Sequence, residues 1–210
     1  AGALLAIVLV FRVATATGQA MDVRVLLLAG VVVAAFFSAC VAFILSVSSA
    51  RTVQSVVLWI MGSLANASWQ SVLLAAVYTV PAAVVLIALA RPLNLMAIGE
   101  ETAHYLGADV EGVKRTALVI AALITAAGVA VAGVIGFVGL VVPHAIRLLI
   151  GSDHRALLPL SFLGGAAFLT LADLIARLAL APTEIPIGVI TAFVGVPIFL
   201  VLLRRSLAGT

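Results

Sequence analysis

Apolar runs of about 18 or more residues recur along this chain, and each is long enough to cross a ~30 Å hydrocarbon layer as a helix. Within lipid, every backbone N–H and C=O must be satisfied internally, so only helices or a closed barrel fit. The alternation and frequent turn signals that mark a barrel are absent. The residues are 65% apolar and the mean hydropathy is +1.38, where soluble domains are roughly half apolar. The sequence therefore predicts an all-α polytopic membrane protein.

Six complete spans are expected, at roughly 25–46, 69–90, 116–133, 136–150, 157–180 and 188–203, after the end of another helix. The third and fourth are divided by "GVIGFVG", whose glycines permit a tight reversal and close helix contact. The opening "AGALLAIVLVF" has no initiator Met and no basic leader-like region. Its eleven apolar residues before Arg12 are too few to span. The sequence reads as one that begins inside a transmembrane helix.

Alternating these spans sorts the eleven Lys and Arg residues into two groups. Arg12, Arg24, Arg91, Lys114, Arg115, Arg147, Arg155, Arg204 and Arg205 fall on one side, and only Arg51 and Arg177 on the other. Cytoplasmic loops are enriched in such cations, so the larger group marks the inside. This also accounts for the pI near 9.8 at a net charge of only +3 without a nucleic-acid partner.

On the inner side lies "NLMAIGEETAHYLGADVEGVKR" (94–115), which gathers much of the chain's charge. Leu95, Met96, Ile98, Ala103, Leu106 and Val110 are interleaved with the acids, and Gly99 and Gly107 divide the passage into short helical pieces. Two readings stand: a solvated loop, or an amphipathic knob that docks a cytoplasmic protein. On the outer side, residues 47–68 are too polar at their start to span. Val53, Val56, Val57 and Ile60 recur at helical spacing, which fits a short helix at the outer face or the mouth of a pore. Trp59 and Trp69 suit an interfacial belt.

Sequence signatures of catalysis are missing. There is no Walker loop, dinucleotide fingerprint or Gly-x-Ser-x-Gly elbow. His104, His144 and His154 form no i, i+4 pair, so structural or loop-ordering roles are expected of them. Cys40 is the single cysteine, which leaves no disulfide and no Cys-based metal site. No catalytic residue, metal or cofactor is expected. Near the outer end of the fifth span, Asp173 and Arg177 stand i, i+4 with the acid first. They neutralise each other, or Arg177 meets an acidic partner together with Glu184, or Asp173 and Glu184 relay protons as in an ion-coupled secondary transporter.

Four segments then carry a resemblance. "GVIGFVGLVVPHAIRLLIGSDHRALLPLSFLGGAAFLTLADLIAR" is followed by "PTEIPIGVITAFVGVPIFLVLLRR", and "VLWIMGSLANASW" and "RPLNLMAIGEETAHYLGAD" precede both. Together they resemble the permeases of ABC importers for iron–siderophore complexes, haem and cobalamin, over most of the chain. The resemblance implies a fold of ten transmembrane helices, of which this chain holds the end of the fourth through the tenth. It implies work as a pair of permeases, as a homodimer or with a paired homologue, in the bacterial cytoplasmic membrane. Two cytoplasmic ATPase subunits and a periplasmic or lipid-anchored substrate-binding protein complete the machine.

By the same resemblance, residues 1–210 form one permease domain and residues 92–113 its coupling-helix loop, which sits in a groove of the ATPase. Gly99, Glu100, Ala103, Leu106 and Gly107 match that loop's pattern. Arg177 matches an outer-surface arginine that pairs with a Glu of the binding protein, with Glu184 on the same rim. Residues 53–62 match the short helix at the pathway mouth, which places Trp59, Met61 and Gly62 beside the substrate route.

Overall fold

The computed structural model describes residues 2–16, 23–65, 67–181 and 183–208. Ten helices run through them: α1 (Gly2–Ala16), α2 (Val23–Ser46), α3 (Ala50–Ile60), α4 (Trp69–Ala88), α5 (Ala90–Ile98), α6 (Glu100–Tyr105), α7 (Val110–Ala132), α8 (Val138–Ile150), α9 (His154–Leu178) and α10 (Ile187–Ala208). Among the described residues there is no strand, and the all-α expectation holds. Residues 17–22, Pro182 of the "PTEIP" motif and the side chain of Arg205 lie outside the described residues.

Among the described residues, four stretches are long and apolar enough to cross a membrane: Arg24–Ser46, Trp69–Ala88, Val110–Ala132 and His154–Leu178. Leu27, Phe43, Leu73 and Val77 are well exposed on them, as side chains facing lipid are. Shorter apolar helices cover Gly2–Ala14, Val138–Ile150 and Ile187–Val201.

The chain forms two compact units. The first comprises Ala1–Val56 with Tyr78–Ala127, and the second Val57–Val77 with Gly128–Thr210. In the first unit α1 packs on α2, and α5 on α6. Ala14, Ala29 and Val33 are buried on α1 and α2, small or compact residues that let helices approach closely where no water drives them together.

In the second unit α8, α9 and α10 pack on one another. Close packing of α9 on α8 depends on Gly164, where an added Cβ would lie 2.9 Å from Ile146 Cδ1 and 3.1 Å from Val142 Cγ1. Ile187 and Thr191 of α10 are almost wholly enclosed. The Thr191 hydroxyl donates to the Gly188 carbonyl at 3.1 Å, which satisfies the group inside its own helix.

Several boundaries differ from the sequence expectation: α4 ends at Ala88, α9 runs His154–Leu178 and α10 reaches Ala208, and the third and fourth spans differ for physical reasons. The third span starts earlier: α7 begins at Val110, so Glu111, Lys114 and Arg115 belong to the same helix as the span. Asp109 sets that start, since its Oδ1 accepts from the Gly112 N–H at 3.0 Å, the bond of an N-cap residue. The fourth span is shorter than 136–150: α8 has 13 residues, about 20 Å at 1.5 Å per residue. Residues 133–136 are not helical. Such backbone survives at membrane depth only where protein supplies its bonds. Here the Ser63 N–H donates to the Ala132 carbonyl at 2.9 Å and the Val138 N–H to that of Gly136 at 2.9 Å.

Candidate functional site

The inner passage folds into the divided form its glycines predict. Helix α5 ends at Gly99, with φ 150° and ψ 141°, a conformation open essentially to glycine alone. Helix α6 follows for six residues. It closes with the Gly107 N–H donating to the His104 carbonyl and the Ala108 N–H to that of Ala103, both at 2.9 Å. With Gly107 at φ 83°, this is a Schellman turn, which satisfies the last carbonyls of the helix and needs a left-handed residue after it.

The sequence-predicted residues of this passage divide into two kinds. Gly99, Gly107 and Ala103 build it: Ala103 is wholly enclosed, so it packs the turn rather than facing outward. Leu106 is presented, 62% exposed, with Ile98 and Tyr105 still more so. These apolar side chains stand on a framework fixed by caps and turns. Glu100, itself exposed, forms an ion pair with Lys114 of α7, a partner the sequence reading did not supply.

At the C-terminal end of α9, the Arg177 Nε–H donates to Asp173 Oδ2 at 2.8 Å, while Nη1 lies 4.0 Å from Glu184 Oε1. The chain doubles back here because the Ile185 N–H donates to the Ala176 carbonyl at 3.1 Å, a late helical carbonyl without an intrahelical partner. Asp173, Arg177 and Glu184 therefore form one cluster, with the Arg177 side chain 41% exposed. The i, i+4 pairing is present, and it leaves an outward edge of the arginine accessible.

A third feature is an apolar cavity of about 630 Å³ lined by Ile60, Met61, Val134, Gly188, Val189, Ala192, Phe193, Val196 and Pro197. It exists because three backbone segments meet closely at one end. The Ile187 N–H donates to the Gly62 carbonyl at 3.2 Å and the Gly188 N–H to that of Met61 at 3.1 Å. A Cβ on Gly188 would sit 2.4 Å from the Met61 oxygen, so no other residue fits without displacing backbone. Of the pathway residues expected from sequence, Met61 lines the cavity. Gly62 is buried behind it, and Trp59 is half-exposed and outside the lining. The α10 lining was not foreseen. Its signal is the run 188, 189, 192, 193, 196, 197, a single helical face.

Among the described residues no three His, Cys, Asp or Glu side chains gather as metal ligands, and the cavity lining carries no charged group. The molecule thus offers an apolar cavity, exposed apolar side chains at Ile98, Tyr105 and Leu106 and a charged cluster around Arg177.

The model of the FecCD transport family matches residues 1–205. The cobalamin import system permease protein BtuC of Halobacterium salinarum is 47% identical over 204 residues, which is 97% of this chain and 54% of that protein. The hemin transport system permease protein HmuU of Yersinia pestis is 46% identical over 181 residues, 86% of this chain and 54% of that protein. The chain thus spans about half the length of these curated relatives. A solved structure, described as an inward-facing conformation of a metal-chelate type ABC transporter, superposes with a TM-score of 0.87 at 34% identity. The match covers 95% of this chain and 63% of the other. The chain belongs to the FecCD transport family.

Proposed function

We propose that residues 1–210 act as the membrane-spanning permease domain of an ATP-driven importer for a metal chelate of the iron–siderophore, haem or cobalamin class. The chelate is delivered by an external binding protein, and ATP is hydrolysed by separate cytoplasmic subunits. Two permease copies, or this chain and a paired homologue, enclose the route through the cytoplasmic membrane. No residue here performs chemistry. ATP-driven closure of the ATPases moves the coupling knob, and the permease pair opens to one side at a time.

The observation that carries this reading is the knob in a member of a transport family. Ile98, Tyr105 and Leu106 are exposed on turns held by Gly99, Ala103 and Gly107. Apolar side chains displayed on a rigid, charge-flanked element fit a groove on a protein partner, and the cation excess on that side supports a cytoplasmic one. Arg177 and Glu184 serve as the docking rim for the binding protein. Met61, with Gly62 behind it and Trp59 nearby, belongs to the substrate route, and the cavity face of α10 continues that route.

The test is co-expression of the full-length permease with its ATPase, followed by pull-down from membranes and uptake of cyanocobalamin, haemin and a ferric hydroxamate siderophore. Leu106→Asp buries a charge at the contact, a change that typically costs a few kcal/mol. It should abolish pull-down and uptake while leaving the protein inserted. Normal pull-down together with normal uptake in this variant would overturn the coupling assignment.

A further inference from the structure

The knob has to do more than bind: it must pass its displacement to a membrane helix. Its covalent link to α7 is the turn at 106–109, whose four residues are the only chain between α6 and α7. A short peptide turn transmits pull well and lateral force poorly, because each residue keeps two soft dihedrals. A second, non-covalent tie is present. Glu100, the first residue of α6, forms an ion pair through Oε1 with the ammonium of Lys114, the fifth residue of α7.

We infer that Glu100 and Lys114 form a strut that makes the knob and the start of α7 move as one body, so that Glu100 is a positioning residue for coupling rather than a contact to the ATPase. This rests on the coupling reading given above. The geometry supports it in three ways. The pair joins the two ends of the six-residue helix and its turn into a closed loop, with the Ala108–Ala103 and Gly107–His104 bonds at the opposite end. The Lys114 side chain is only 14% exposed, whereas that of Glu100 is 53% exposed. The lysine is therefore enclosed by protein and the bond is less screened than a surface pair. Ala103 on α6 and Val113, next to Lys114 on α7, are both buried, so loss of the ion pair changes the charge balance around a largely enclosed ammonium rather than around a surface one.

The experiment uses the full-length permease with its ATPase, in lipid vesicles and with Cys40 and any further native cysteine replaced by Ala. Spin labels on Thr102→Cys, exposed on α6 and outside the apolar contact face, and on Leu118→Cys report the distance between knob and α7. The uptake probe is whichever of cyanocobalamin, haemin and a ferric hydroxamate siderophore the wild type accumulates. In the wild type the label distance should be narrowly distributed and should stay so when ATP and vanadate trap the closed ATPase. Glu100→Gln and Lys114→Met should each broaden it and raise the ATP hydrolysed per chelate imported by roughly three- to tenfold, with ATPase pull-down retained. The exchanged pair, Glu100→Lys with Lys114→Glu, should restore both in large part. Recovery stays incomplete because a cation in the first turn of α6 is disfavoured by the helix dipole.

An unchanged distance distribution in Glu100→Gln overturns the strut, as does an exchanged pair no better than either single variant. Failure of the coupling reading looks different: Leu106→Asp would then bind ATPase normally, whatever the labels report.

Discussion

In the proposed importer, Arg177 meets two demands with one side chain. Its Nε is engaged by Asp173 at 2.8 Å, and Glu184 stands 4.0 Å from Nη1. Guanidinium carries five donors in a fixed fork, so an edge of it stays open to a further acid, which the docking proposal assigns to the binding protein. Arg177→Glu should therefore weaken binding-protein affinity, and a Lys placed at the partner's acid should restore part of it. If neutralising Asp173 were the arginine's whole task, the variant would instead lower expression, and adding Asp173→Arg would recover it without changing docking. Exposed pairs contribute under about 1 kcal/mol and desolvated interface pairs more. Affinity measured by titration at two salt concentrations separates the cases, because an exposed docking pair weakens as salt rises. Rescue by the Asp173 exchange with unchanged affinity throughout would remove Arg177 from the docking rim.

At the scale of elements, the knob is governed by backbone geometry at Gly107. A Cβ there meets nothing within 4 Å, so Gly107→Ala costs only the left-handed penalty, about 1–2 kcal/mol. Gly107→Trp carries the same penalty and adds bulk beside Leu106. Both variants should insert normally, with uptake mildly reduced in the first and ATPase pull-down lost in the second. Equal pull-down in both would show that the surface around Gly107 touches no partner. This turn was legible in the sequence, because a glycine closing a short amphipathic segment has few other uses. The Asp173–Arg177 pair was legible for a similar reason, since its spacing is a fixed property of a helix. The Glu100–Lys114 pair obeys no such rule: its members sit on different helices, and only the turn between them brings them together. The α10 face lining the cavity was hidden by composition. In a helix apolar all round, the stripe facing a cavity and the stripe facing lipid carry the same residue types. The shortness of α8 was hidden too, because an apolar run does not reveal where the backbone leaves the helix.

For the molecule as a whole, the arrangement across the membrane follows from charge placement. Nine cations fall on one side of the expected spans and two on the other, a bias that sets orientation during insertion. On the proposed reading it puts the knob passage on the cytoplasmic side and the segment around Arg177 on the outer side. The single cysteine makes this measurable. In a Cys40→Ala background, Tyr105→Cys and Leu180→Cys each introduce one thiol at an exposed position. A membrane-impermeant maleimide added to intact cells should label Leu180→Cys. Tyr105→Cys should stay unlabelled until the membrane is opened, because the charged reagent cannot cross ~30 Å of hydrocarbon. Co-expressed ATPase should then slow labelling at residue 105 and leave residue 180 unaffected, while added binding protein should do the reverse. Labelling of both thiols from outside, or protection of both by a single partner, would be incompatible with coupling inside and docking outside. In that event the cation count would have to be explained by a different threading of the chain.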